Sequence, residues 1–424
     1  MENEPMANIW ELYGVNENPF STSPILVQGG HLPPDCFVGR KEQITRLGKI
    51  FGSKGGSRTL VYGDIGVGKT SFVNVVRAHA RTKGFFTPFK EIAVQGGWDG
   101  NDFILNTLSG VYATLKILKD RPVSQETIKK LETLLEIGAV ERNFGATVGL
   151  VGAQYGEQRK SPTSLTTMGL EDFFQSIVAE ISKNTENEII IHYNNLELLE
   201  EEQVKKLFNN LRDFFQTPRT HFVFVGNLSV HSYFQSIPRL SSILSDTPIH
   251  IQTLTLREIQ EIIKKRFDTL RISNDLNYVI PYSEDGLRAL FDLFGGNIRN
   301  ILNSLSTAIM EITREKPVML DEKTLAVTLK AVVEKRYFSM LQPRARQVLQ
   351  AVVGHEEITN KQLSIKTKIA QPNISTYISN LVSGGCVYLR RKSGKDKFWS
   401  ADPKIKWSLL KEAEKSQKKI HEFD

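Results

Sequence analysis

Residues 63–71 read Gly63-Asp64-Ile65-Gly66-Val67-Gly68-Lys69-Thr70-Ser71. This stretch fits the pattern G-x-x-x-x-G-K-[ST] of a phosphate-binding loop, whose glycines let backbone N–H groups turn inward around a polyphosphate. The lysine of the pattern is a point charge for the β- and γ-phosphates, and the threonine hydroxyl is a ligand for Mg²⁺. A short apolar run at 59–62 predicts a buried strand before the loop, and residues 69–80 predict a helix whose N-terminal dipole end favours an anion. We expect all nine residues to bind ATP or ADP with Mg²⁺, with Thr70 as the metal ligand; the alternative is an ordinary glycine-rich turn.

The composition is that of a globular protein with two or three domains. The chain has 424 residues, of which 40% are hydrophobic and 24% are charged. It has no apolar run of membrane-spanning length, and its first residues are acidic and polar, unlike a signal peptide. The two cysteines, Cys36 and Cys386, lie far apart and lack metal-ligand spacing. We therefore expect a cytoplasmic protein with no membrane partner.

Five apolar stretches of strand length alternate with helical stretches between residues 37 and 252. They are 59–62, 89–94, 188–193, 221–226 and 249–251. This alternation predicts a parallel sheet covered on both faces, which is the α/β fold of a P-loop NTPase core.

Other parts of the chain carry different patterns. Residues 96–168 are expected to form an irregular insertion, with helical stretches at 102–118 and 125–137 and a small-residue hairpin at 145–152. From residue 253 the pattern becomes all-helical, and a capping box opens the first helix at 255–258. The predicted parts are a lead-in at 1–36 that packs on the next domain, a nucleotide-binding core at 37–252, an all-α lid at 253–337 and a C-terminal winged helix-turn-helix at 338–424.

The net positive charge is concentrated at the C-terminal end. The whole chain carries a formal charge of +7, and residues 338–424 contain 16 Lys and Arg against 8 Asp and Glu. This asymmetry predicts a polyanion-binding module on a near-neutral body. For Lys411–Lys419 we prefer a solvated basic tail.

The order of elements after residue 338 is typical of a winged helix. Helices at 343–353, from 359 and from 371 precede a hairpin of 386–391 and 397–401. The third helix would bury Ile374, Ile378 and Leu381. Its outward side chains are Asn373, Ser375, Thr376, Tyr377 and Asn380, and the wing carries Arg390, Arg391, Lys392, Lys395 and Lys397. Polar side chains suit base edges and cations suit phosphates, so we expect binding to double-stranded DNA. A protein partner, RNA or no partner at all are the alternatives.

Four segments outside the phosphate-binding loop match a known pattern. They are Val38-Gly39-Arg40, Asn227 after an apolar strand, Gly296-Asn297-Ile298-Arg299 and Arg239. With the loop, they make the chain resemble AAA+ ATPases of the origin-recognition and archaeal replication-initiator type that end in a winged helix. The resemblance implies that residues 38–40 pack near the adenine, that Asn227 and Arg299 contact the phosphates, and that Arg239 is an arginine finger for a neighbouring subunit. It thus implies self-assembly or assembly with other AAA+ subunits. The alternatives are a strand-end turn for Asn227 and plain surface positions for both arginines.

The chain departs from that family at the magnesium-site strand. Asn194 stands where the family has Asp, and Asn195 where the catalytic Glu follows. An amide carries no charge and cannot act as a general base. Glu197 is the candidate substitute, so we expect ATP binding with slow hydrolysis; the alternative is a plain turn with the acid elsewhere.

These features together predict a nucleotide-controlled switch or assembly factor that binds DNA, in replication initiation, transposition or defence. ATP would close the core on the lid and reposition the winged helix. The alternatives are a signalling or scaffold ATPase of the STAND type, whose winged helix contacts protein, and an active ATP-hydrolysing motor.

Overall fold

The structure is a computed structural model that describes residues 8–148, 166–393 and 396–409. The chain forms two compact units. One is Ser23–Thr253, and the other combines the residues up to Thr22 with those from Leu254 onward. The change of unit lies between Thr253 and Leu254, one residue after the predicted boundary between core and lid. The expected basic tail at 411–419, the wing residue Lys395 and residues 149–152 of the expected hairpin lie outside the described residues.

A five-stranded sheet forms the centre of the first unit. The strands are β1 (Ser57–Tyr62), β2 (Ile92–Ala93), β3 (Ile189–Asn194), β4 (Thr220–Gly226) and β5 (Ile249–His250). Their order is β2-β3-β4-β1-β5, and every neighbouring pair is parallel. Strands β3 and β4 are almost entirely buried, as the continuous apolar runs predicted.

Nine helices of the described residues belong to this unit. They are α1 (Lys41–Gly52), α2 (Lys69–Thr82), α3 (Gly100–Ile117), α4 (Gln125–Val148), α5 (Thr167–Thr185), α6 (Glu201–Asn210), α7 (Arg212–Phe215), α8 (Leu228–Ser236) and α9 (Pro238–Ser241). The α/β fold class is thus confirmed.

The helical stretches expected at 102–118 and 125–137 are confirmed as α3 and α4, but the described residues of segment 96–168 belong to the core and do not form an irregular insertion. Helix α3 contributes Phe103, Leu108 and Val111 to the same buried cluster as the strands. The hairpin expected at 145–152 is also wrong where the structure describes it, because α4 continues to Val148. A glycine inside a helix costs only about 1 kcal/mol relative to alanine, which is too little to end a long helix by itself.

Two smaller expectations are corrected as well. The strand expected at 89–94 is reduced to Ile92–Ala93, because the Phe89 N–H donates to the Thr114 hydroxyl instead of to a strand. The single helix expected at 204–215 is split at Leu211, whose backbone leaves the helical conformation.

The second unit begins with four helices at the positions expected for a lid. They are α10 (Leu256–Thr269), α11 (Glu284–Phe294), α12 (Ile298–Ile312) and α13 (Glu322–Arg336). The predicted capping box is present, since Thr255 and Glu258 exchange hydrogen bonds at the start of α10.

The lead-in does not pack as expected. Residues up to Thr22 belong to the second unit, whereas the rest of the lead-in belongs to the first. The buried Arg266 guanidinium donates to the carbonyls of Pro19 (3.0 Å) and Ser21 (2.8 Å). The Phe20 ring meets Phe267 edge-on at 5.7 Å. The lead-in is therefore divided between two hydrophobic cores.

The described C-terminal part of this unit contains three helices and a small antiparallel sheet, followed by a further helical stretch at 403–409. In chain order the elements before that stretch are α14 (Pro343–Val353), β6 (Ile358–Thr359), α15 (Asn360–Thr367), α16 (Gln371–Ser383), β7 (Val387–Ser393) and β8 (Asp396–Ala401). The sheet order is β6-β8-β7. As predicted, Ile374, Ile378 and Leu381 of α16 are buried. The short strand β6 was not predicted.

Two adjacent glycines give a test of the second unit's packing. Gly295 and Gly296 both have positive φ, but a Cβ on Gly295 would meet nothing within 4 Å, whereas one on Gly296 would lie 2.3 Å from the Leu254 carbonyl oxygen. We expect Gly295→Ala to lower the free energy of unfolding by about 1–2 kcal/mol through backbone strain alone. Gly296→Ala adds a clash of about 1–3 kcal/mol more. Thermal unfolding of both variants checks this, and equal losses would contradict it.

Candidate nucleotide-binding site

The phosphate loop, residues 63–68, joins the end of β1 to the start of α2 at Lys69. Gly63, Gly66 and Gly68 have φ of +155°, +86° and +90°. A Cβ on Gly63 would lie 2.2 Å from the Ile251 carbonyl oxygen, so only glycine fits there. The loop therefore has the tight, glycine-dependent turn that directs backbone N–H groups toward an anion at a helix N-terminus.

The ammonium group of Lys69 lies against the backbone of the same loop. Its Nζ donates to the carbonyl oxygens of Gly63 (2.9 Å) and Asp64 (2.8 Å), and the side chain is buried. The positive charge is thus held at the mouth of the loop. Ile65, at the loop tip, is 61% exposed.

Arg40 holds the loop from the other side. Its guanidinium donates to the carbonyl oxygens of Val67 (2.5 Å) and Gln252 (3.1 Å), and its own backbone is left-handed with φ of +56°. The segment Val38-Gly39-Arg40, expected near an adenine, therefore lies next to the phosphate loop, and Arg40 ties the loop to Gln252, two residues after β5.

The two residues after Lys69 have different partners. The Thr70 hydroxyl donates to Asn194 Oδ1 at 3.2 Å, so the end of β3 lies beside the hydroxyl expected to bind metal. The Ser71 hydroxyl accepts the Ile25 N–H at 3.1 Å. Ser71 thus anchors the lead-in of the first unit to α2, a role that the sequence did not indicate.

The turn after β3 explains the second asparagine. Asn195 has φ of +65°, in the left-handed region that Asn tolerates better than most residues. This left-handed backbone supports the alternative that Asn195 is a plain turn residue. Glu197 lies in the following turn, and its Oε2 is a buried oxygen with no hydrogen-bond partner in the described part of the chain.

A buried row of polar side chains continues from the Thr70–Asn194 contact. Thr70, Asn74 and Arg77 recur on one face of α2, and His192 and Asn194 share one face of β3. We call the three that lie below the loop, Asn74, Arg77 and His192, the polar ladder. Arg77 NH1 donates to Asn74 Oδ1 (2.7 Å) and lies 3.3 Å from His192 Nδ1. These side chains fasten α2 to β3 just below the loop.

Further contacts complete the coordination of the Arg77 guanidinium. Its Nε donates to the Thr87 hydroxyl at 2.9 Å, and NH2 donates to the Pro88 carbonyl. Burial lowers the pKa of Arg77 to about 10, although Glu91 acts in the opposite direction. Burial, and then the nearby Arg77 charge, holds the pKa of His192 well below its usual value. The imidazole is therefore neutral, and sequence reasoning missed this ladder although its helical spacing was readable.

The remaining predicted residues of the site lie as follows. Asn227 caps α8, with Oδ1 accepting the Val230 N–H at 3.1 Å, so its turn alternative also has support. It follows β4, whose Gly226 is in register with Tyr62 of β1, and so emerges at the same sheet edge as the phosphate loop. Arg239 is exposed on α9 of the first unit, and Arg299 is exposed in the first turn of α12 of the second.

The predicted recognition residues of α16 are mostly exposed. Asn373, Ser375, Thr376 and Asn380 face solvent, whereas Tyr377 is half-buried against the domain core. The Ser375 hydroxyl also accepts a hydrogen bond from the Asn360 amide at 3.1 Å.

The predicted wing cations do not form one uniform group. Arg390 NH1 donates to the Glu356 carbonyl at 3.0 Å and lies 3.6 Å from its carboxylate, so part of its charge is neutralised. Lys397 is exposed, and its Cα is in register with Lys392 across the hairpin. Arg391 lies on β7, and only its backbone placement, like that of Lys392, is described.

A comparison with protein families finds a match within the first unit. Residues 53–230 match the family model described as the KAP family P-loop domain, a stretch that runs from before β1 into α8 and covers less than half of the chain. The predicted P-loop NTPase domain is thereby confirmed. None of the curated proteins compared with the chain matches it.

Several solved structures are similar over most of the chain. The ORC2 protein of Aeropyrum pernix in its ADPNP–ADP complexes is 14% identical, with 93% of this chain and 97% of that chain covered and a TM-score of 0.47. The ORC1 protein of the same organism in complex with DNA is 16% identical, with 91% and 95% covered and a TM-score of 0.46. The Holliday junction branch migration motor RuvB of Thermotoga maritima is 13% identical, with 88% and 95% covered and a TM-score of 0.39.

Within the described ranges, no helix has both the length and the apolar character needed to cross a bilayer.

The polar ladder gives the protein a pH-dependent stability. Because the pKa of His192 is lowered in the folded state, the unfolded chain takes up the proton first as the pH falls below about 6.5. His192 therefore lowers the free energy of unfolding by up to about 1.4 kcal/mol for each pH unit below that point, and has no such effect above it.

The measurement is thermal unfolding between pH 5 and 8, compared between the parent and His192→Gln. The parent should lose more stability on acidification than the variant. His79→Gln, which replaces an exposed histidine of α2, should follow the parent. Parallel curves for the parent and His192→Gln would show that His192 is protonated equally in both states.

Proposed function

We propose that this protein binds ATP with Mg²⁺ at the phosphate loop and that the bound nucleotide controls DNA binding by a C-terminal winged helix. The single observation that carries the first half is the contact of Thr70 with Asn194 beside a buried Lys69, on a loop that requires glycine at position 63. In this arrangement a cation, a hydroxyl and the N-terminus of α2 converge on one place.

The residues present fit a magnesium ion held together with a polyphosphate. Mg²⁺ prefers oxygen ligands and usually takes only one or two from the protein, the rest coming from phosphates and water. The Thr70 hydroxyl and the Asn194 amide oxygen are two such oxygens side by side. The metal would neutralise phosphate charge, while Lys69 and Arg40 would orient the loop around the phosphates.

We infer that hydrolysis is slow. Asn194 and Asn195 both carry neutral amide side chains, so neither can take a proton from water. Glu197 is the remaining candidate base, and its buried, unpartnered Oε2 supports that role. Asn227 and Arg299 are proposed to contact the γ-phosphate. Arg239 is proposed to reach a neighbouring subunit, and its side chain is exposed and available for that contact.

Restoring the acid tests this part of the proposal. Asn194→Asp puts a carboxylate beside Thr70, and we expect ATP turnover to rise about tenfold or more, because a carboxylate binds Mg²⁺ more strongly than an amide does and the metal stabilises charge on the phosphates. Lys69→Ala should weaken ATP binding about 10–100-fold, since a charged hydrogen bond is lost. Calorimetric titration and phosphate release measure the two effects.

Two outcomes would contradict parts of this proposal. Unchanged ATP affinity in Lys69→Ala would contradict the nucleotide site, and a parent protein that already turns over ATP as fast as Asn194→Asp would contradict slow hydrolysis. The second outcome would favour the motor alternative and would be followed by Glu197→Gln.

The C-terminal elements support DNA as the polyanion. The order helix, strand, helix, helix, hairpin is that of a winged helix, and α16 presents a polar face to solvent. The excess of Lys and Arg from residue 338 onward supplies the attraction to phosphates. Duplex DNA suits an exposed helix with a cationic hairpin beside it, so we propose double-stranded DNA as the ligand.

The salt dependence of DNA binding provides the test. Lys397→Ala should reduce the slope of log affinity against log salt by about 0.9, which corresponds to one lost phosphate contact. Lys264→Ala, an exposed lysine on α10, is the matched control and should leave the slope unchanged. Fluorescence anisotropy with a labelled duplex measures the salt slopes of both variants, with and without Mg²⁺ and ATP. A DNA affinity that changes neither with salt nor with nucleotide would contradict the switch.

A second function has specific support. Met340 (83%) and Ile365 (72%) are apolar side chains exposed on the C-terminal elements, and the Arg390 charge is shared with Glu356. These features favour a scaffold ATPase whose winged helix contacts protein. Absence of DNA binding by a protein that retains nucleotide would select this function. The two free, buried cysteines agree with a reducing, cytoplasmic setting for either function.

A further inference from the structure

A groove between α1 and α2 lies away from the phosphate loop. It has a volume of about 370 Å³ and an apolar floor formed by Ile44, Phe51, Val76, Ala80 and Phe85. Its α2 side runs from Val76 to Lys83, which is about 10–20 Å along the helix from Lys69 at 1.5 Å per residue. A molecule in this groove would therefore not occupy the phosphate site.

The α1 wall of the groove is opened by glycine. Gly48 lies inside α1 and is exposed, and a Cβ built there would meet nothing within 4 Å. The same is true of Gly52 at the end of the helix. Glycine destabilises a helix interior relative to alanine, and no contact within the unit requires it at position 48. Its effect is to leave room for the close approach of another backbone.

The rim of the groove is cationic. Lys49 and Lys83 are exposed lining residues. Lys49 and Lys83 form no ion pair with the described residues. A shallow depression continues along α1 and is also lined by Lys41 and Arg46, with Glu42 as its only carboxylate among the lining residues. The charge of the groove is thus complementary to an acidic molecule.

The floor identifies the kind of acidic molecule. A nucleic acid would need exposed aromatic faces or a polar surface, but Phe51 is buried, Phe85 is half-buried, and the other floor residues are aliphatic or alanine. An amphipathic helix satisfies both parts of the groove, because apolar anchors at helical spacing can enter it while flanking carboxylates meet the lysines.

We propose that the α1–α2 groove docks an acidic amphipathic helix of a partner protein. Leu or Ile side chains of that helix enter between Ile44 and Val76, and its backbone passes over Gly48. Its Asp or Glu side chains pair with Lys49 and Lys83. This docking is independent of the phosphate site.

The test uses the full chain and a labelled 16-residue synthetic helix with Leu at i, i+3, i+4 and i+7 and Glu on both flanks. Fluorescence anisotropy measures binding, and hydrogen exchange of α1 and α2 locates it. The parent should bind this peptide, and should bind a version with Lys in place of Glu at least about tenfold more weakly, because the attraction is reversed in sign.

Three groove variants and two controls separate docking from folding. Gly48→Ala should raise the unfolding temperature by about 2 °C, because alanine is the better helix former. Gly48→Leu and the double reversal Lys49→Glu with Lys83→Glu should each weaken peptide binding at least about tenfold, by filling the groove or by like-charge repulsion. Lys129→Glu, an exposed lysine of α4, and Lys69→Ala should both bind the peptide like the parent.

The proposal is overturned if the parent does not bind the peptide, or if Gly48→Leu binds it unchanged. It is equally overturned if a DNA duplex, rather than the peptide, protects α1 and α2 from exchange. Since Lys69→Ala retains docking under this proposal, loss of the nucleotide site and loss of the groove are distinguishable.

Discussion

The position of α2 against β3 depends on one buried guanidinium. Arg77 is completely enclosed, yet it has polar partners on Asn74, Thr87 and the Pro88 carbonyl, so its desolvation is compensated by hydrogen bonds. Removing it would leave several buried acceptors unpaired, which is among the most destabilising changes that a core can undergo. Arg77 NH1 also lies 3.3 Å from His192 Nδ1, and this contact links the helix that starts at Lys69 to the strand that ends at Asn194. The phosphate loop is local in sequence, but its geometry is held by this contact below it.

Much of the fold could be predicted because its signals are local. The loop pattern of residues 63–71, the apolar runs of β3 and β4 and the buried spacing of α16 each lie within a short window. The features that were missed depend on partners far along the chain. Residues 8–22 pack on α10 through Arg266, almost 250 residues away, and the reduced strand β2 results from a hydrogen bond between Phe89 and Thr114. Periodicity carries no information about such pairs, so neither could be read in advance.

The candidate site, too, could be predicted only in part from the sequence. The placement of Asn194 beside Thr70 follows from a parallel sheet in which β3 and β1 end at one edge, and that much could be predicted. The left-handed turn at Asn195 could not, because several residue types enter such turns. Without a carboxylate at position 194, the negative charge that attracts a metal ion would come mainly from the polyphosphate itself. Metal and nucleotide would then be expected to bind together rather than in succession.

The divided lead-in has a consequence for synthesis. The Tyr13 hydroxyl bonds to the Thr313 hydroxyl, a partner 300 residues later in the chain. At about 5–20 residues per second, translation needs roughly 15–60 s to make that partner after Tyr13 has been made. During this interval Trp10, Tyr13 and Phe20, all buried in the finished protein, have no core of their own to enter, although residues 23–253 can already fold. The segment that contains these three side chains is therefore an apolar stretch exposed to chaperones until Thr313 has been made.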